Sequence, residues 1–155
     1  VHARAREVLE KADCIDLGPG DLYTSILPNC IVEGVPEALA TTNATLVYVL
    51  NLMSRKGQAL DMNATDYLNE IRKYIGRYPD CMLVHTGPLR ADLLALYAEE
   101  GEYPVSHAYE GTRVQVIGGD FVSQEDVILQ RGDTIRRSLI RHDPEKLARA
   151  IIDSI

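Results

Sequence analysis

The sequence contains no long apolar run and no excess of basic residues. No stretch approaches the roughly 18 apolar residues that a membrane-spanning helix needs, and the start of the chain, VHARAREVLEKAD, lacks the apolar stretch of a secretory signal. The net charge is −7 and the isoelectric point about 5.0, whereas nucleic acids and anionic membrane surfaces attract basic stripes. We therefore expect a soluble, intracellular protein whose partners include neither nucleic acid nor a membrane.

Cysteine is scarce as well, and the familiar catalytic and metal-binding signatures are missing. Cys14, Cys30 and Cys81 are odd in number, widely spaced and set in apolar segments, which favours buried thiols over disulfides or zinc ligands. The sequence has no GxSxG elbow, no HExxH, no Walker lysine motif and no paired Cys/His spacing. It therefore predicts no metal site and leaves any catalytic residue unassigned.

Alternating strand and helix patterns run through the 155 residues, a length that suits one domain with a real core. Apolar runs predict strands at 12–17, 46–50, 81–84 and 113–117, the last at a sheet edge. Helical periodicity predicts helices at 4–11, 26–40, 65–76, 90–100 and 143–155. This alternation implies right-handed crossovers and a mostly parallel sheet. We expect a single α/β domain over residues 1–155, a Rossmann-like three-layer sandwich.

The segment 18–29, GPGDLYTSILPN, is the most informative part of the sequence. Gly18 and Gly20 follow the first predicted strand and permit a turn that a ligand can approach more closely than a Cβ would allow. Thr24 and Ser25 are expected to cap the helix that follows, which leaves its first amide groups facing an anion. A plain link between a strand and a helix would explain the glycines equally well.

Further side chains in this part of the sequence bear on the choice between those two interpretations. Tyr23 and Asn29 add donors that a mere link does not need, which favours a phosphate-bearing ligand. Asp21 argues against it, because a carboxylate repels a phosphate unless a metal or a basic group intervenes. Arg55 and Lys56, in the irregular stretch 54–64, could reach a phosphate, although charged loop residues are commonly only solvated.

Small or polar residues follow each predicted strand. Ligands on open parallel sheets bind outside the carboxyl ends of the strands, so these residues predict a site at one edge of the sheet. They are Gly18 and Gly20, Asn51, the group His85, Thr86 and Gly87, and the group Gly118, Gly119 and Asp120.

The candidate catalytic groups are few. His85, at a strand end, is the best-placed imidazole, whereas we interpret His142 as a helix-start residue because Asp143 has the chemistry of an N-cap. Among the carboxylates, Asp120 follows two glycines. Asp66 lies in the first turn of a predicted helix, where the dipole stabilises a carboxylate without any catalytic role.

The segments GPGDLYTSILPN, VYVLNLMS and RHDPEKLARAI resemble the gluconeogenesis-factor family, a cytoplasmic bacterial group related to 2-phospho-L-lactate transferases. The resemblance covers most of the chain from Ala12 on. It implies a Rossmann-like fold that binds a nucleotide sugar such as a UDP-sugar, with a regulatory role in carbon metabolism, cell shape and envelope synthesis. No cofactor is required for that role. The positions that match the family's binding motif are Gly18, Gly20, Leu22, Tyr23, Thr24, Ser25, Pro28, Asn29 and Asn51, with Asp66, His85 and Asp120 as further candidates.

The sequence departs from the family pattern at several of its polar positions. Asp21 stands in place of a serine, Gly57 to Ala59 (Gly-Gln-Ala) replaces Gly-Glu-Thr, and Tyr67 replaces a histidine. The family's glycine-rich GGGTG loop is absent, which indicates either the C-terminal part of a larger protein or a family member that lacks its first nucleotide-binding half.

The wider superfamily suggests an alternative activity. Its transferases move a phospholactyl group from a guanosine diphosphate donor to a deazaflavin, and Asp66 or Asp120 would then hold a magnesium ion. A protein without nucleotide binding, acting through protein contacts, is the third option. The sequence leaves the oligomeric state open, a homo-oligomer included.

Overall fold

A sheet of four parallel strands forms the centre of the computed structural model, which describes residues 1–111, 113–125 and 138–155. The strands lie side by side in the order in which they occur along the chain. Parallel pairing joins each strand to the next, so the fold is the Rossmann-like α/β arrangement that the sequence predicts. The strands are β1 (Cys14–Leu17), β2 (Thr45–Val49), β3 (Cys81–His85) and β4 (Gln115–Gly119).

Helices cover both faces of this sheet. A π-helical turn, Leu22–Ile26, leads directly into the second helix, and none of the helices in the described ranges is long and apolar enough to cross a membrane. The helices are α1 (Ala3–Lys11), α2 (Leu27–Cys30), α3 (Val35–Thr41), α4 (Ala64–Ile75), α5 (Ala91–Glu99) and α6 (Pro144–Asp153).

The alternation of side chains along β2 divides the core into two layers. Leu46, Tyr48 and Leu50 pack against α2, α3 and α4 on one face, while Val47 and Val49 pack on the opposite face. The opposite layer is completed by Phe121 and by Leu147 of α6. Because the side chains of Leu46 to Val49 are fully buried, β2 is the central element that a continuous apolar run predicts.

Three predicted boundaries differ from the structure. The predicted helix 26–40 divides into α2 and α3 at Gly34, which has a φ of 86°. Asn63, and not Thr65, caps α4, because its side chain accepts the Asp66 amide at 3.2 Å. β4 begins two residues later than predicted and includes Gly118 and Gly119, which pair with Val84 and His85. These glycines extend the sheet instead of forming a tip beyond it.

The buried position of Ile71 gives a test of this core. Ile71 lies on α4 with no exposed surface, so Ile71→Ala should lower the free energy of unfolding by about 2 to 5 kcal/mol through lost burial and a residual cavity. Val8→Ala, at a side chain that is 60% exposed on α1, should change it by less than about 0.5 kcal/mol. Urea unfolding measures both, and equal losses would contradict the assigned core.

Candidate functional site

Both glycines of the turn after β1 are required by close packing. Gly18 has a φ of 110°, and a Cβ on it would lie 3.3 Å from the carbonyl oxygen of Val49. A Cβ on Gly20 would lie 3.1 Å from the Cβ of Ser25. The turn therefore packs against the end of β2, at the carboxyl edge of the sheet. This packing explains the presence of the two glycines without any ligand.

The helical turn that follows begins earlier than the sequence predicts. Asp21 occupies the N-cap position, and its carbonyl oxygen accepts the amides of Ser25 at 2.8 Å and Ile26 at 3.1 Å. The predicted capping by Thr24 and Ser25 is therefore wrong. The helical turn begins at Asp21 because Leu22 and Ile26, which are one turn apart, are both buried.

The first amide groups of this turn are not used in hydrogen bonds within the helical segment. Within the described ranges, the backbone N–H groups of Leu22, Tyr23 and Thr24 have no hydrogen-bond acceptor, as expected for the first residues of a helical segment. Donors at such a position favour an anion. Anion binding at this turn stays a prediction, and the amides without a partner are those that precede Ser25.

The side chains of the predicted binding motif differ in their burial and in their hydrogen bonds. Leu22 belongs to the core, whereas Tyr23, Thr24, Ser25 and Pro28 are exposed. The side-chain amide nitrogen of Asn29 donates a hydrogen bond to the carbonyl oxygen of Ser25 at 2.6 Å. This donor is therefore already used within the protein. Of the exposed residues predicted to bind a ligand in this segment, Tyr23, Thr24 and Ser25 carry a hydroxyl group.

An ion pair joins the turn to the irregular stretch after β2. Arg55 Nη1 lies 2.6 Å from Asp21 Oδ2, and Thr24 Oγ1 lies 3.5 Å from the same oxygen. Arg55 thus supplies a basic group beside the carboxylate that argued against an anion. Tyr67 lies close by: burial raises the pKa of its hydroxyl to about 12, with further contributions from Asp21 and Tyr23.

A second cluster of polar side chains lies at the ends of β3 and β4. The Nδ1 atom of His85 accepts the amide of Phe121 at 3.0 Å and lies 3.7 Å from Asp120 Oδ1. Lys146 of α6 binds Asp120 Oδ2 at 2.8 Å, and this bond lowers the pKa of Asp120. The structure therefore brings the predicted candidates His85 and Asp120 together and adds Lys146, which the sequence analysis did not single out.

Burial keeps His85 neutral and fixes the position of its proton. Desolvation lowers the pKa of His85, while Asp120 and the carbonyls of Gly87 and Pro88 partly oppose the shift. Because Nδ1 is an acceptor, the proton of the neutral ring is on Nε2. This atom is buried, and no described residue meets hydrogen-bond geometry with it.

His142 belongs to the same group, so its interpretation as only a helix-start residue was incomplete. It forms an antiparallel bridge with Val122, while Asp143 caps α6 as predicted, accepting the amides of Glu145 at 3.0 Å and Lys146 at 3.1 Å. Burial, together with the nearby His85, lowers the pKa of His142 to about 4. In the sequence, the RHDP motif at residues 141–144 was the feature that could have pointed to His142.

Four buried polar atoms near the carboxyl edge have no hydrogen-bond partner among the described residues. They belong to the end of β2, the segment after it and the end of β3, and they are Tyr48 Oη, Asn51 Oδ1, Gln58 Oε1 and His85 Nε2. An unsatisfied buried polar group costs about 1 to 3 kcal/mol, and such groups in a native protein call for an explanation such as an ordered water, an ion or a bound molecule. Gln58 and Tyr48 were not predicted as site residues.

Asp66 has a structural role instead. Its carboxylate accepts the amide of Asn63 at 2.9 Å and so completes the capping box of α4. Within the described part of the chain, no three His, Cys, Asp or Glu side chains gather in a way that could hold a metal ion. The carboxylates of Asp66 and Asp120 are both engaged within the fold, the first in the capping box of α4 and the second with Lys146.

Comparison with known proteins assigns the chain to a family. A family model described as 2-phospho-L-lactate transferase CofD matches residues 1–147. The chain belongs to this family. The motifs of the glycine turn and of the segment after β2 lie within the matched residues, which confirms the resemblance drawn from them.

Individual relatives of this family member agree in name and in fold. Gluconeogenesis factor from Halalkalibacterium halodurans is 35% identical over 151 residues, which are 95% of this chain and 44% of that protein. Gluconeogenesis factor from Bacillus subtilis is 30% identical over 148 residues, with the same two coverages of 95% and 44%. A crystal structure of a UPF0052 family member from Bacillus halodurans matches with a TM-score of 0.82 and 33% identity, covering 97% of this chain and 46% of that one. The chain thus spans less than half the length of these relatives.

The lowered pKa of His142 predicts a pH-dependent stability. A histidine whose pKa falls from 6.5 unfolded to about 4 folded stabilises the fold fully above pH 6.5, and this stability is lost as the pH falls towards 4. The loss should reach about 3 kcal/mol. Urea unfolding between pH 4 and 7 should show stability rising with pH, with a smaller slope in His142→Gln. The matched control is His107→Gln, at an exposed histidine, which should keep the wild-type slope; equal slopes in all three proteins would contradict the burial of His142.

Proposed function

We propose that this chain contributes the binding site for a nucleotide sugar, such as a UDP-sugar, to a cytoplasmic regulatory protein of carbon metabolism, cell shape and envelope synthesis. The observation that carries the proposal is the set of four unpartnered buried atoms near the carboxyl edge, at Tyr48, Asn51, Gln58 and His85. Tyr48, Asn51 and His85 lie at or within two residues of the carboxyl ends of β2 and β3, the edge where ligands of parallel sheets bind. Relatives named gluconeogenesis factor support a role in carbon metabolism.

In this proposal the glycine turn and the unpartnered polar atoms bind different parts of the ligand. The pyrophosphate lies at the turn, where the amides of Leu22, Tyr23 and Thr24 donate and Arg55 adds a positive charge. The sugar and base satisfy polar atoms deeper in the edge. Asn51 and Gln58 offer side-chain oxygens to ligand donors, and the Nε2–H of His85 offers a donor to a ligand oxygen.

A phospholactate transferase is the second candidate, supported by the name of the family model. The residues assigned to its metal are engaged elsewhere, because Asp66 caps α4 and Asp120 pairs with Lys146. We expect no phospholactyl transfer from a guanosine diphosphate donor to a deazaflavin by the full-length protein with magnesium present. Product formation that Asp66→Asn abolishes, while the melting temperature stays the same, would reverse the order of the two candidates.

The orphaned oxygen of Asn51 supplies a direct test of nucleotide-sugar binding. Asn51→Ala removes a buried acceptor that lacks a partner in the free protein, so it should weaken UDP-N-acetylglucosamine or UDP-glucose binding by about three- to tenfold, the equivalent of one hydrogen bond. The free energy of unfolding without ligand should stay unchanged or rise, because an unsatisfied group is removed.

Calorimetric titration and urea unfolding of the full-length protein measure the two effects. The matched control is Asn43→Ala, at an exposed asparagine, which should leave both unchanged. Loss of stability together with loss of binding would indicate that Asn51 is only structural. The absence of heat or of a melting shift with millimolar UDP-sugar in the wild-type protein would remove the proposal.

A further inference from the structure

We propose that Asp21 is an internal competitor for Arg55, so that the ion pair between them limits the affinity of the turn for phosphate-bearing ligands. The inference rests on the proposed function, because it concerns the affinity of that same site. Its basis is the 2.6 Å contact between Arg55 Nη1 and Asp21 Oδ2, formed directly beside the available amides of the turn.

The backbone of Asp21 is fixed, which keeps its carboxylate at the turn. Its carbonyl oxygen accepts two amides, from Ser25 and Ile26, and the side chain is only 26% exposed. The carboxylate oxygen that binds Arg55 also lies 3.5 Å from the hydroxyl of Thr24. An anion at the amides of Leu22, Tyr23 and Thr24 would therefore share its surroundings with a fixed negative charge.

Arg55 is held less firmly than Asp21. Its side chain is 44% exposed and lies on the irregular stretch after β2. Its guanidinium group can bind phosphate through two parallel hydrogen bonds, a geometry that arginine forms better than lysine. Ion pairs with this degree of exposure are weak. A pyrophosphate can therefore draw Arg55 away from Asp21, but it does so against the existing pair.

An alternative role for the same pair makes the opposite prediction. If Asp21 instead positioned Arg55 for the ligand, removal of the carboxylate would release the guanidinium and weaken binding. If Asp21 competes for Arg55, its removal frees a donor and eliminates a repulsive charge, and binding becomes stronger. The sign of the change therefore separates the two roles.

The experiment compares the binding of UDP and of inorganic pyrophosphate to four forms of the full-length protein. Asp21→Asn should bind both probes about three- to tenfold more tightly than the wild type, with a steeper dependence on salt concentration. Arg55→Gln should bind more weakly, because the charge of Asp21 is then uncompensated. The double variant should bind more tightly than Arg55→Gln but less tightly than Asp21→Asn, because it is relieved of the repulsive charge and lacks the freed arginine.

Two further variants keep the result interpretable. Glu7→Gln removes the same charge from the exposed Glu7–Lys11 pair on α1, and it should leave binding unchanged, which controls for net charge. Asp21→Ser repeats the removal of the carboxylate with a smaller side chain should the asparagine variant fold poorly. Melting temperatures establish that each variant is folded.

Each outcome has a defined meaning. Weaker or unchanged binding in Asp21→Asn and Asp21→Ser, with a wild-type protein that binds UDP, would overturn the competition and leave the proposed function in place. Tighter binding in Glu7→Gln equal to that in Asp21→Asn would reduce the effect to net charge and overturn it also. Failure of all forms to bind either probe at millimolar concentration would remove the proposed function together with this inference.

Discussion

The burial of β2 on both faces is the constraint on which the remaining structure depends. Leu46 to Val49 have no exposed surface, so helices must cover the sheet above and below. Parallel pairing on both sides of β2 then places the carboxyl ends of all four described strands at one edge. Asn51, His85 and Asp120 lie at or just after these strand ends, and Asp21 follows the end of β1 within a few residues. The location of the site is therefore a consequence of how the core is buried.

The sequence predicts elements well where a single chemical pattern determines them. The run LVYVL predicts β2, and the glycine that ends the predicted helix 65–76 ends α4 at Gly76, whose φ is 80°. The sequence predicts helix ends less well where two nearby residues can take the same structural role. Asn63 and Thr65 can both cap a helix, and only the path of the chain before α4 selects Asn63. Similarly, Thr24 and Ser25 suit a cap, but the burial of Leu22 moves the helical start to Asp21.

The candidate site shows a similar division. The glycine turn, Asn51, His85 and Asp120 could be placed at one edge because strand ends can be read from the sequence. His142 and Lys146 could not, because their positions depend on the return of the chain beside Phe121 and Val122. The pair of Asp21 and Arg55 joins residues 34 positions apart, and no local pattern indicates such a contact. Long-range contacts of this kind determine which charges face a ligand.

The two ion pairs at the edge have a consequence for how a ligand arrives. The chain carries a net charge of −7, yet Asp21 is balanced by Arg55, Asp120 is balanced by Lys146, and burial keeps His85 and His142 uncharged. In the proposed function, these paired or uncharged groups add little long-range attraction for a nucleotide, and the net negative charge of the chain opposes its approach. The proposed recognition would then depend on short hydrogen bonds formed at contact.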